Sequence, residues 1–99
     1  MEKRSAHYLL SEILAQMTTV EEMNLTLSAQ DGIRAAGMAK ADALEVVRGL
    51  SRADFYKSMT TNKDHRVWQD VYHTEWHGKP LYVKFQRADD YFVVSFKEL

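Results

Sequence analysis

The hydrophobic pattern changes period part-way along the chain, and that change restricts the fold more than any single motif. Over residues 81–86 apolar and polar side chains alternate (Leu-Tyr-Val-Lys-Phe-Gln), and residues 91–97 do much the same (Tyr-Phe-Val-Val-Ser-Phe-Lys). Alternation at period two marks strands with one buried face. Residues 67–72 share the β-branched and aromatic bias. Turn formers separate the three segments, His77-Gly78-Lys79-Pro80 and Ala88-Asp89-Asp90, so the short links predict an antiparallel meander.

Before residue 50 the period is helical. Leu9, Leu10, Ile13, Leu14 and Met17 recur at the spacing of one helix face, with Ser5 as a candidate cap. Residues 18–27 are ambiguous, because Met23, Leu25 and Leu27 alternate like a short strand. Ser28 and Asp31 have the spacing of a capping box that opens a second helix, which Gly37 stops. A third helix covers 41–48, with Leu44 and Val47 inward and Gly49 ending it. Ser51 and Asp54 predict one more short helix, carrying Phe55, Tyr56 and Lys57. Helices grouped first and strands grouped after predict an α+β architecture, helices packed on a C-terminal antiparallel sheet, in one domain over 1–99.

Ninety-nine residues with 45% hydrophobic content can build one such core. No apolar run approaches the roughly 20 residues of a membrane span, and no membrane partner is expected. The absence of cysteine excludes disulfides and thiolate chemistry and suits a cytoplasmic protein. A net charge of −1 gives no global signature of nucleic-acid binding, and direct DNA binding is not expected. The distribution is more informative: residues 1–56 hold six Lys/Arg against eight Asp/Glu, residues 57–99 seven against six. An anion meets less repulsion in the second part.

Alternation also sorts the strands into faces. Leu81, Val83, Phe85, Phe92, Val94 and Phe96 form the side that packs on helices, with Trp68 and Tyr72 as core partners. Gln69, Tyr82, Lys84, Gln86, Tyr91, Val93, Ser95 and Lys97 then look the other way. If the 87–90 turn is tight, Tyr82 stands opposite Ser95 and diagonal to Lys97. Gln69 joins them if 73–80 forms a loose loop, whereas a tight turn at Gly78-Lys79 pulls it away.

One segment, DFYKSMTTNKDHRVWQDVY at 54–72, follows neither period and mixes aromatics, amides, hydroxyls and charges. Together with the ending VVSFKEL, the opening MEKR and the Gly49-Leu50-Ser51 before the motif, it closely resembles the MqsR (motility quorum-sensing regulator) family of bacterial toxins. The resemblance covers essentially the whole chain, densely over 49–72 and 91–98 and loosely over 5–48. It implies a RelE-like fold and a metal-independent, sequence-selective mRNA endoribonuclease without cofactor, cutting at short GCU-like sites. It also implies a cognate antitoxin as partner, zinc-containing with a DNA-binding domain. By position, the family's catalytic residues match Lys57, Gln69, Tyr82 and Lys97. The main departure is 73–80, where HTEWHGKP differs from the family's more basic loop.

Metal-free RNA cleavage uses the adjacent 2′-hydroxyl as nucleophile. It needs a base, cationic donors for the phosphorane and an acid for the 5′-oxygen. Two lysines, a tyrosine and a glutamine can supply these, and a second cation beside a lysine lowers its pKa toward that of a base. Which lysine is the base stays open. Taken singly, each residue has an ordinary reading: Lys97 a solvated strand end, Tyr82 a surface tyrosine, Lys57 a helix-end cation. Lys84, His65 and Trp76 are candidate RNA contacts, Trp76 by stacking on a base or, equally, by covering the sheet edge. His65 can instead anchor the 58–66 loop through a hydrogen bond. His73 and His77 with Glu75 lack the further ligands of a metal site, and none is expected. Two other readings differ in class. One is a RelE-like interaction protein that binds a partner or the ribosome without cutting, which does not require all four positions. The other is the antitoxin, against which the lack of Cys clusters and of a helix-turn-helix argues.

Overall fold

A computed structural model describes residues 1–99. In chain order it contains β1 (Glu2–Lys3), α1 (Leu10–Ala15), β2 (Asn24–Leu25), α2 (Leu27–Ala35), α3 (Lys40–Arg48), β3 (Phe55–Thr60), β4 (Trp68–Trp76), β5 (Lys79–Ala88) and β6 (Tyr91–Glu98). The strands form one six-stranded sheet in the order β1-β3-β4-β5-β6-β2, antiparallel except for the pairing of β2 with β6. The architecture is α+β, with the expected meander as its centre, a short strand where Met23, Leu25 and Leu27 alternate, and β1 and β3 in addition.

Leu81, Val83, Phe85, Phe92, Val94 and Phe96 are all buried, and Tyr72 with them, as the faces predict. Against them pack Ile13 and Met17 from the α1 region, Ala29 and Ile33 of α2, and Ala43 and Val47 of α3. Trp68 is only half-buried; His7 stacks on it at 5.2 Å and the Lys3 ammonium sits 4.2 Å from its ring. It lies under the N-terminal arm instead of in the core. The buried position beside it belongs to Asp70, fully enclosed.

The helix starts move. Ser5 caps nothing; residues before Leu9 run along the sheet, and α1 begins only at Leu10. Thr26, not Ser28, caps α2, its hydroxyl accepting from the Ala29 N–H at 3.0 Å. At the other end Gly37 adopts φ 74° and α2 closes as expected, with Gly37 N–H bonded to Arg34 O and Met38 N–H to Ile33 O, both 3.0 Å. Ser51 and Asp54 do bond to each other, but they hold a single 3-10 turn at Arg52–Asp54. The predicted helix through Lys57 is a strand, β3. Phe55, Tyr56 and Thr60 favour extended backbone, and β4 offers a full edge to pair with.

The turns decide two registers, the first by being tight and the second by lying one residue later than expected. His77 and Gly78, at φ 49° and 81°, close a two-residue hairpin in which Trp76 faces Lys79, so β4 runs through 73–76 as strand. Pro80 is tolerated there because its carbonyl side faces β6, where it accepts from Leu99 N–H. The second turn holds only Asp89 and Asp90, setting Tyr82 opposite Lys97 and Lys84 opposite Ser95. In β3 the register slips between Phe55 and Lys57: Phe55 faces Tyr72, while Lys57 faces Val71. Tyr56 is the extra residue of this bulge. It reverses the alternation, so that Phe55 packs inward while both Tyr56 and Lys57 look outward.

Gly32 of α2 lies directly on β6: a Cβ there would come within 2.2 Å of the Phe96 carbonyl oxygen. Glycine to alanine in a helix ordinarily stabilises by up to about 1 kcal/mol, but here the backbone of β6 must shift. We expect Gly32→Ala to destabilise by about 1–3 kcal/mol, measured by urea denaturation; a variant as stable as the parent would show that α2 is not seated on β6.

Candidate active site

The sheet face turned away from the helices is open, and the register lays its side chains in rows. One row runs from Tyr56 in the bulge through His73 and Tyr82 to Lys97. The next carries Lys57, Val71, Lys84 and Ser95, and a third carries Met59, Gln69, Gln86 and Val93. Three of the four candidates, Lys57, Tyr82 and Lys97, thus lie in adjacent rows. The Lys97 ammonium sits 4.9 Å from the centroid of the Tyr82 ring, a direct cation–π contact.

Gln69 shares the face but not the neighbourhood. The tight hairpin sets Tyr82 against His73, four residues along β4 from Gln69, or about 13 Å of strand. The Gln69 amide instead donates to the Gln86 side-chain oxygen at 2.8 Å. Lys84, between these two ends, is the half-buried centre of the face.

The three lysines differ in environment. Lys57 is paired with Glu2 at 2.5 Å, and that hydrogen bond holds its pKa above the usual lysine value. Lys84 touches no carboxylate; burial pulls its pKa down, and the Lys97 charge adds to the effect. The depressed lysine foreseen for this chemistry is therefore Lys84, not Lys57. Tyr82 is raised by burial, with the Lys57 charge opposing, so the phenol stays protonated over a wider range.

The other candidates lie outside this cluster. His65 is exposed in the 61–67 loop and makes no hydrogen bond; the anchoring falls to Thr61 and Asp64, whose mutual bonds measure 2.8 and 2.9 Å. Trp76 points to the helix side, stacked on His77 at 4.2 Å and packed against the core, away from Tyr82. Sequence reasoning missed Glu2, which reaches the site only because β1 pairs with β3, and gave His73 no role on this face. Alternation extended past Tyr72 would have found His73. A groove of about 970 Å³ lies between the N-terminal arm, α1 and Phe55, on the opposite side from these rows.

An α+β protein whose open sheet face gathers amines around a phenol has a donor set suited to phosphodiester chemistry. The comparisons make the class specific. A family model described as motility quorum-sensing regulator, toxin of MqsA, matches residues 5–98. The mRNA interferase toxin MqsR of Escherichia coli (strain K12) is 39% identical over 98 residues, 99% of each chain. The chain belongs to the MqsR toxin family.

The electrostatic description predicts an order of titration. Followed by the NMR shifts of the lysine side chains, Lys84 should lose its proton at lower pH than Lys57. Lys97→Met should raise the Lys84 midpoint by removing a like charge, and Glu2→Gln should lower that of Lys57 by removing its acceptor. A Lys84 midpoint unmoved by Lys97→Met would mean that the two amines do not share one field.

Proposed function

We propose that this chain, an mRNA interferase toxin by family, cuts RNA on the open face of its sheet, without a metal ion, by attack of the 2′-hydroxyl on the neighbouring phosphate. The observation carrying this reading is the gathering of Lys57, Lys84 and Lys97 around Tyr82. Lys57, kept protonated by Glu2, and Lys97, across the strand pair from Tyr82, stabilise the charge of the phosphorane. Tyr82, kept protonated by burial, gives its proton to the departing 5′-oxygen. Lys84 holds RNA phosphate at the centre of the face. Gln69, bound to Gln86 and well along β4, meets a neighbouring nucleotide and contributes to selection of short GC-containing, GCU-like sites.

Purified protein with defined RNA in EDTA should yield a 2′,3′-cyclic phosphate, or its hydrolysed form, and a 5′-hydroxyl. Activity lost in EDTA and restored by divalent ion would sink the metal-free reading. Alanine at Lys57, Tyr82 or Lys97 should each lower the single-turnover rate by about 10²–10⁴ with the fold intact. Phe85→Ala should instead cost about 3–5 kcal/mol as a core truncation. If Lys57→Ala and Lys97→Ala both cut like the parent, the site lies elsewhere.

The same reading extends to the cell. Expressed alone in bacterial cytoplasm, the protein should arrest growth, and a cognate antitoxin carrying zinc and a DNA-binding domain should relieve the arrest. Sequencing of 5′ ends after induction should show GC enriched at the cuts. Normal growth with abundant folded protein and unchanged messages would count against it.

A further inference from the structure

The roles assigned above include a proton donor and charge stabilisers but no proton acceptor; Lys84, whose pKa is lowered, is there given to holding phosphate and is the competing candidate. Lys57 and Tyr82 are both held in their protonated forms. Gln69 has no proton to exchange, and Lys97 lies as a cation over the Tyr82 ring. Imidazole is the side chain whose ordinary range spans pH 5 to 8, and the face contains one. His73 stands directly opposite Tyr82, their ring centroids 6.0 Å apart. Its other flank is stacked on Tyr56 at 4.0 Å, with the rings 15° from parallel, so the imidazole is held in one orientation while staying half-exposed. It makes no ion pair and no hydrogen bond that would occupy its nitrogens. The groups facing it are Tyr56 and Lys57 on β3, Tyr82 and Lys84 on β5 and Lys97 beyond them on β6. Glu75 lies on β4 itself, and Glu2 on β1 is turned to Lys57.

We propose that His73 is a catalytic residue, the general base that takes the proton of the attacking 2′-hydroxyl. This deepens the metal-free cleavage proposed above and rests on it. Neutral imidazole accepts the 2′-hydroxyl proton as the 2′-oxygen bonds to phosphorus. The bond from phosphorus to the 5′-oxygen breaks, and Tyr82 gives that oxygen its proton. The products are a 2′,3′-cyclic phosphate and a 5′-hydroxyl, leaving imidazolium and phenolate side by side. Proton return from one to the other, directly or through water, restores both. Tyr56 positions the ring by stacking.

The test is a pH series of single-turnover cleavage in EDTA, with the folded state of each variant checked by circular dichroism. The parent should lose activity as pH falls, tenfold per unit once the base is protonated. His73→Gln should cut at least about 10²-fold more slowly at the plateau and lose that acid limb. His73→Gly should recover activity with added imidazole, following imidazole's own titration. Lys84→Met should bind RNA more weakly and keep the limb. Retention of the limb by His73→Gln overturns the proposal, whatever the rate. So does its loss in Lys84→Met with His73 intact, which would assign the base to the lysine. If the parent cuts only with added divalent ion, the metal-free reading fails separately. The same series run with that ion then decides the role of His73 by the same criterion.

Discussion

A carboxylate with no cation beside it holds the molecule together at its least regular end. Asp70 is fully buried on the helix-facing side of β4 and accepts from the backbone N–H groups of His7 and Tyr8 at 2.9–3.1 Å and from the Ser58 hydroxyl at 2.6 Å. Burying a charge is costly unless its hydrogen bonds are met, and here three donors from two chain segments meet them. The consequence is a fixed path for the N-terminal arm. Residues 7 and 8 are tied to β4, Tyr8 bonds the Trp68 carbonyl at 2.8 Å and packs edge-on against Phe92, and α1 can begin only after them.

That tether reaches through the sheet to the open face. Because the arm is held at residues 7 and 8, Glu2 and Lys3 pair with Met59 and Ser58, and Glu2 then projects beside Lys57. The charge state of the face thus depends on a carboxylate on its far side, though no bond joins them. The three lysines end in three settings: one neutralised by a partner, one half-buried at the centre, one lying on a ring. A sheet makes this possible because neighbouring strands hold side chains about 5 Å apart without further support.

Periodicity made the core of this fold legible. Every apolar residue assigned inward on β5 and β6 is buried, since period two has only two phases and burial selects one. What alternation could not provide was pairing. The two edge strands are two residues long; only the alternation of Met23, Leu25 and Leu27 points to one of them, and both exist because β3 and β6 offer them partners. Turn tightness was equally hidden: the left-handed His77 backbone makes a two-residue hairpin from a stretch that reads as a loop, and this separates Gln69 from Tyr82. Resemblance singles out Lys57, but its strand reads as a helix in the sequence because the Ser51–Asp54 box is genuine and simply ends after one turn. The arm's path was not legible at all, since Asp70 looks like any polar strand residue until its three donors are seen.

The bulge at Tyr56 has an evolutionary consequence. Elsewhere in the meander, side-chain direction follows from counting by twos, but between Phe55 and Lys57 the count is offset by one residue. Substitutions in this strand can tune the site freely, exchanging one donor or ring for another. Loss of Tyr56 alone would restore the count, leaving Phe55 inward and Lys57 outward and removing only the ring stacked on His73. Deletion of Met59 has no such slack: with Thr60 still facing Trp68, it would turn Lys57 inward and Ser58 outward, breaking the tether at Asp70 in the same step. Length in this strand is therefore expected to vary at the bulge and not beyond it, while the 61–67 loop, outside the sheet's pairing, is free to grow or shrink.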